Sequence, residues 1–138
     1  MARRRGIGEA GGRWRSGLVA VLLVAATSLG HPALAQDVAP YDDQLMRLAE
    51  ILGALHHLRP LCGADEAQTW RDQMAALLAA EQASPERTKR LTDRFNRSYR
   101  GLAETHRTCT DTARMLIDRY TAEGAALAQD VVARWGRS

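Results

Sequence analysis

The chain has few of the residue patterns that enzymes and cofactor proteins require. Its 138 residues include only two cysteines, and neither C-x-x-C nor C-x-x-C-H occurs. These absences argue against a thiol–disulfide oxidoreductase and against covalently attached c-type haem. After residue 35 the serines are Ser84, Ser98 and Ser138, and none has a nucleophile elbow or a partner motif around it. We therefore expect a protein without enzymatic activity, catalytic residues or a cofactor.

Long hydrophobic runs are also missing, since the longest mostly apolar stretch is the 13 residues from Gly17 to Leu29. A membrane-spanning helix needs about 20 such residues, so no transmembrane anchor is expected. Five arginines precede this run, and the small residues Ala33 and Ala35 follow it in an A-x-A pattern. This arrangement predicts a signal peptide over residues 1–35, cleavage between Ala35 and Gln36, and export to the periplasm.

Cleavage would change the charge of the protein. The leader contributes +4 to the formal charge of +3, so the mature residues 36–138 carry −1. The basic character of the precursor thus belongs to the targeting segment, and we expect no binding to nucleic acid. These 103 residues are enough for a single small domain with a modest core.

The mature part shows helical periodicity and no strand pattern, so an all-α domain is expected. Apolar residues recur at spacings of three and four, and capping residues mark the ends of each segment. The predicted helices are helix one over Tyr41–Arg59, stopped by Pro60; helix two from a cap at Asp65 to about Gln82; helix three from a cap at Ser84 until the pattern breaks at Thr108; and helix four from a cap at Thr110 to near Gly136.

Short connections between four helices favour an antiparallel, up-down-up-down four-helix bundle. In that topology the loops after helices one and three lie at the same end, and they contain Cys62 and Cys109. We therefore predict one disulfide between these cysteines, which an oxidising compartment would maintain. Closing a loop of this length contributes roughly 4 kcal/mol in the chain-entropy model.

Helix three has one apolar and one basic face. Leu91 and Phe95 fall on the stripe expected to face the core, and Trp70 and Trp135 of the neighbouring helices are also expected in the core. Gly101 indicates either close helix packing or a tolerated glycine.

Opposite that stripe and along its flank lie four arginines that form a candidate contact surface: Arg90, Arg94, Arg97 and Arg100. They could bind an envelope protein or an anionic envelope component such as lipid headgroups or peptidoglycan carboxylates. The plainer interpretation is a solvated face whose charge is balanced by acidic residues of helix two. Nothing in the sequence indicates an oligomeric state.

A second interpretation concerns the end of the bundle that would carry the cysteines. The same topology brings histidines to this end, so a metal-binding or redox-responsive protein is an alternative that would use His56, Cys62, His106 and Cys109. The spacing matches no recognised ligand pattern, and no metal is expected if the cysteines are oxidised.

Three segments together resemble a family of small exported alphaproteobacterial proteins of unknown function. They are the leader, LRPLCG at Leu58 to Gly63, and FNRSYRG at Phe95 to Gly101 followed by RTCT at Arg107 to Thr110. The resemblance covers essentially the whole mature chain, and the spacing of the two cysteine motifs is its most specific feature. It implies export and supplies no catalytic residues.

Overall fold

The computed structural model describes residues 38–136 and contains four α-helices in this range. They are α1 (Asp42–Leu61), α2 (Thr69–Ala80), α3 (Pro85–Thr105) and α4 (Asp111–Trp135). No strand occurs among these residues, so the predicted all-α class is confirmed. The predicted signal peptide and its cleavage site between Ala35 and Gln36 lie outside the described residues.

Helix α1 ends later than its sequence indicates, because Pro60 does not stop it. The helix includes Pro60 and ends at Leu61. Gly63 then adopts a φ of 92°, the left-handed conformation that glycine accepts most readily. Its N–H donates to the Pro60 carbonyl, and the Ala64 N–H donates to the Arg59 carbonyl, both at 3.0 Å. This pair of bonds is a Schellman motif, which closes the helix and places Cys62 at its end.

Helix α2 is shorter than predicted, and Asp65 does not cap it. The helix begins at Thr69, after a residue that makes no side-chain capping bond. The preceding residues form a turn in which the Glu66 carboxylate accepts hydrogen bonds from Arg59 Nε and Trp70 Nε1, both at 2.9 Å. Because these bonds hold the residues before Thr69 in a turn, those residues do not form a first turn of α2.

The predicted caps of the other two helices are confirmed. Ser84 Oγ accepts a hydrogen bond from the Arg87 N–H at 3.1 Å, and Pro85 occupies the first position of α3. Thr110 Oγ1 accepts one from the Ala113 N–H, also at 3.1 Å. Each bond satisfies an N–H that a helix N-terminus leaves without an intrahelical partner.

The helices alternate in direction, with α1 at the centre of the packing. Asp42 and Arg87 meet at the first turns of α1 and α3, while the disulfide joins the other ends of these helices, so the two run parallel. Gln44 of α1 contacts Asp130 near the end of α4, which therefore runs antiparallel to α1. Helix α1 packs against each of the other three helices, as a helix surrounded by its neighbours.

Two helices come into backbone contact at Gly53, which is buried in the middle of α1. A Cβ atom added there would lie 2.2 Å from the carbonyl oxygen of Phe95 in α3. Around this contact lie two clusters of buried side chains; Leu91 and Phe95 belong to one of them, as predicted. By contrast, Gly101 has open space around it, which corresponds to the tolerated glycine of the two alternatives.

One predicted core residue lies largely at the surface. Trp135, in the last turn of α4, is 47% exposed, and its ring lies 5.8 Å from that of Tyr41. The helical stripe that carries it continues beyond the central clusters, so the last turn has little left to pack against. Trp70 lies near the start of the short helix α2, where it faces the core and is half-buried.

The predicted disulfide is confirmed, and it completes the stapled four-helix bundle. Cys62 and Cys109 are bonded, with their Cα atoms 5.0 Å apart, in the ordinary range for a disulfide. The bond closes a loop with a sequence separation of 47 residues. It thereby connects the end of α1 to the loop between α3 and α4.

Replacing both cysteines by serine should lower the free energy of unfolding by about 2–4 kcal/mol, because the unfolded chain regains the freedom of the closed loop. Helical content should be retained at low temperature. Urea unfolding followed by circular dichroism measures the change. Reduced wild-type protein is the matched control and should unfold at the same urea concentration as the double variant. Adding reductant should not change the unfolding of the variant. Equal stability of oxidised wild type and double variant would contradict the role of this bond.

Candidate functional site

The four predicted arginines of α3 lie at the surface, and the structure brings three of them around one shallow pocket. The pocket has a volume of about 280 Å³ and is lined by Met46 of α1 and by Arg90, Asp93, Arg94 and Arg97 of α3. Arg100 is exposed but does not line it. Hereafter the four arginines are called the arginine face.

Acidic neighbours balance part of the arginine face. Arg90 lies 4.0 Å from Asp42, and Arg94 lies 3.9 Å from Glu50. Ion pairs this long, each made by an arginine that is exposed at the surface, contribute little to stability. None of the ion pairs shown within residues 38–136 involves Arg97 or Arg100. The second half of the face therefore carries the least compensated charge.

Asp93 lies among the cations of this surface. A hydrogen bond from Lys89 and the charges of Lys89, Arg97 and Arg100 lower the pKa of the Asp93 carboxyl. The Lys89 Nζ and an Asp93 oxygen are 2.6 Å apart, so this carboxylate pairs most closely with the lysine, and one carboxylate cannot balance three cations. The arginines retain the excess charge.

Arg87, a further basic residue of α3, belongs to the interior. The residue is 7% exposed, and its guanidinium donates to Asp42 and to Glu81, with Nε 2.9 Å from Asp42 Oδ1. Burial opposes the charge of Arg87, but these two carboxylates outweigh it and raise the pKa of Arg87. A signal for this role was present, because Arg87 precedes Leu91 by one turn on the apolar stripe.

The His/Cys end of the bundle does not bring together the proposed metal ligands as free groups. Cys62 and Cys109 are bonded to each other, so neither sulfur is a thiolate. His57 Nε2 lies 2.7 Å from the backbone carbonyl of His106, to which it donates a hydrogen bond. Within the part of the chain that the structure describes, no group of three His, Cys, Asp or Glu residues is arranged to hold a metal ion.

His56 occupies a setting that disfavours its protonation. Its ring contacts Phe95 and Tyr99 of α3, with centroids 5.6 and 5.1 Å away, and its Nε2 accepts a hydrogen bond from Arg71 of α2 at 3.0 Å. The other ring nitrogen, Nδ1, is buried without a partner. Burial, then the charges of Arg71 and His57, lower the pKa of His56. The neutral ring links α1, α2 and α3.

This setting predicts a fall in stability in mild acid. The unfolded chain binds a proton at His56 with a pKa near 6.5, whereas the folded protein binds it only at lower pH. The contribution of neutral His56 to the free energy of unfolding is therefore complete above about pH 6.5. It is lost as the pH falls toward the lowered pKa of His56 in the folded protein. His56→Gln keeps an acceptor for Arg71 but does not titrate. The free energy of unfolding, measured between pH 7.5 and about 5, should vary less with pH in this variant.

Arg71→Gln serves as the companion variant, because it removes the facing charge and leaves the histidine in place. It should also reduce the pH dependence, but by less than His56→Gln does. A His56→Gln protein with the full wild-type pH dependence would show that other groups cause it.

Comparisons with known proteins give a family but no further relatives. No curated protein and no solved structure matches this chain. A family model covers residues 40–135, a range that includes the four helices, both cysteines and the arginine face. The resemblance to a family of unknown function is thus confirmed: the chain belongs to the family described as protein of unknown function, DUF2385.

Proposed function

We propose that this chain is an exported, non-enzymatic helical module of the periplasm whose arginine face binds an anionic component of the cell envelope or an acidic envelope protein. The observation that carries the proposal is the clustering of Arg90, Arg94 and Arg97 around one surface pocket, with Arg100 beside it. Guanidinium groups bind carboxylate and phosphate through paired, charge-assisted hydrogen bonds.

The overall charge makes a localised site necessary. Without its leader the chain carries a formal charge of −1, so attraction to a polyanion cannot come from the protein as a whole. Only a surface with a local excess of cations can supply it. Arg97 and Arg100 provide this excess, since the ion pairs described above involve other residues of α3.

Further observations concern the other parts of the proposal. The Cys62–Cys109 disulfide suits an oxidising compartment, in keeping with export. Within residues 38–136, no helix is both long enough and apolar enough to span a bilayer. A groove between α2 and α4 is lined by one titratable side chain, Tyr120, which favours binding over acid–base catalysis there.

The test compares charge reversals on two faces. Arg97→Glu with Arg100→Glu should weaken binding about tenfold or more, because two guanidinium contacts are lost and repulsion replaces them. The control, Arg114→Glu with Arg119→Glu, changes the net charge equally on the exposed surface of α4. Sedimentation with phosphatidylglycerol vesicles and with purified peptidoglycan measures binding to the two classes of envelope anion.

Wild-type binding should fall as salt is raised, because the contacts are between exposed charges. Equal losses in the two double variants would show that net charge, and not the arginine face, governs binding. If wild-type protein sedimented with neither material, the envelope-anion proposal would be abandoned, and only an acidic protein partner would remain of the proposed function.

A further inference from the structure

A groove between α2 and α4 forms a second surface feature, and it shares no residue with the pocket of the arginine face. Its volume is about 550 Å³, within the roughly 300–1,000 Å³ typical of small-molecule sites. Four side chains that follow one stripe of α1 form its floor: Leu48, Ile51, Leu52 and Leu55. Helices α2 and α4 form its walls, and no charged side chain lines it.

The walls consist largely of small residues, which is why the groove exists. Ala76 and Ala80 line it from α2, and Ala125 and Ala128 line it from α4. Gly124 lets α4 approach the floor, since an added Cβ atom would lie 3.2 Å from Cγ2 of Ile51. Longer side chains at the four alanines would fill the space between the helices.

The groove is polar at one end and apolar at the other. Helices α2 and α4 both run antiparallel to α1, so their N-terminal halves lie at the same end. Thr69 and Gln73 line that end from α2, and Tyr120 and Thr121 line it from α4. The opposite end is lined by alanines and leucines. Uncharged hydrogen-bonding groups are thus followed by a hydrocarbon surface along a single groove.

We propose that this groove binds a single-chain amphiphile with an uncharged, hydrogen-bonding head group. The hydrocarbon chain lies along the alanine-lined half, where burial of apolar surface contributes about 25 cal/mol per Å². The head group lies among the hydroxyl and amide groups of Thr69, Gln73 and Thr121. A charged head is disfavoured because none of the lining side chains can pair with it, and desolvating an unpaired charge is costly.

The composition of the walls favours such a ligand over a protein partner. Protein interfaces are depleted in alanine and depend on aromatic and arginine anchors. The exposed rim of this groove offers alanines and threonines, whereas its two aromatic residues, Trp70 and Tyr120, are half-buried. A linear chain needs no such anchors and gains from continuous apolar contact.

Trp70 supplies the readout, because it lines the groove. The mature protein has one other tryptophan, so Trp135→Phe leaves Trp70 as its single reporter. This protein is titrated with monolaurin, whose glycerol head is uncharged, with laurate, whose head is anionic, and with glycerol alone, all below micellar concentrations. Monolaurin should shift the Trp70 emission saturably, and glycerol should have no effect. Laurate should bind at least about tenfold more weakly than monolaurin.

Two pairs of variants locate the site. Ala76→Phe and Ala128→Phe place a ring in the groove and should abolish the monolaurin response. Ala79→Phe and Ala126→Phe add the same ring at exposed positions of the same helices that do not line the groove, and they should bind as before. Circular dichroism checks that each variant is folded; Ala76→Leu and Ala128→Leu replace any phenylalanine variant that is not.

Each other outcome overturns the proposal. An unchanged Trp70 emission with both amphiphiles would show that no such ligand binds. Binding that persists in the groove-filling variants would place the ligand elsewhere. Laurate binding as tight as that of monolaurin would contradict the proposed preference for an uncharged head group. If light scattering showed a dimer that the groove-filling variants convert to monomers, the occupant would be a second copy of the chain.

Discussion

The fold depends on the contact between the backbones of α1 and α3 at Gly53. Only a residue without a side chain fits there, because the Phe95 carbonyl occupies the place of a Cβ atom. Such a close approach lets Leu45, Ala49, Leu52, Leu91 and Phe95 pack in one buried cluster. The pair is held at one end by the buried Asp42–Arg87 ion pair and at the other by the disulfide. Three different kinds of interaction thus keep two parallel helices in register.

The remaining features of the protein follow from this pairing. Since α3 occupies one side of α1, helices α2 and α4 pack on its other sides, and the floor of α1 stays partly open between them. The outer surface of α3 faces away from the core and carries the arginine face. The two candidate binding surfaces are therefore separate: one is charged and outward, and the other is apolar and recessed between helices.

Local sequence signals predicted much of this fold. Capping residues and a repeat of three and four residues act within one helix, so the starts of α3 and α4 could be assigned, and alternating helix directions brought the cysteines together. Contacts between helices could not be assigned in this way. Periodicity does not reveal which helix approaches which, so neither the close contact at Gly53 nor the pairing of Arg87 with Asp42 followed from it. For the same reason the groove was not predicted, because alanines on two helices become a site only once those helices are placed.

A comparison of two glycine variants tests the role of the α1–α3 contact most directly. Gly101→Ala, at an exposed helical position with open space around it, should raise the free energy of unfolding by up to about 1 kcal/mol through helix propensity. Gly53→Ala gains the same propensity but forces α1 and α3 apart, so it should lower that free energy by about 1–3 kcal/mol or more. Urea unfolding of both variants beside wild type measures the difference. If Gly53→Ala were as stable as Gly101→Ala, the backbone contact would not be the constraint on which the fold depends.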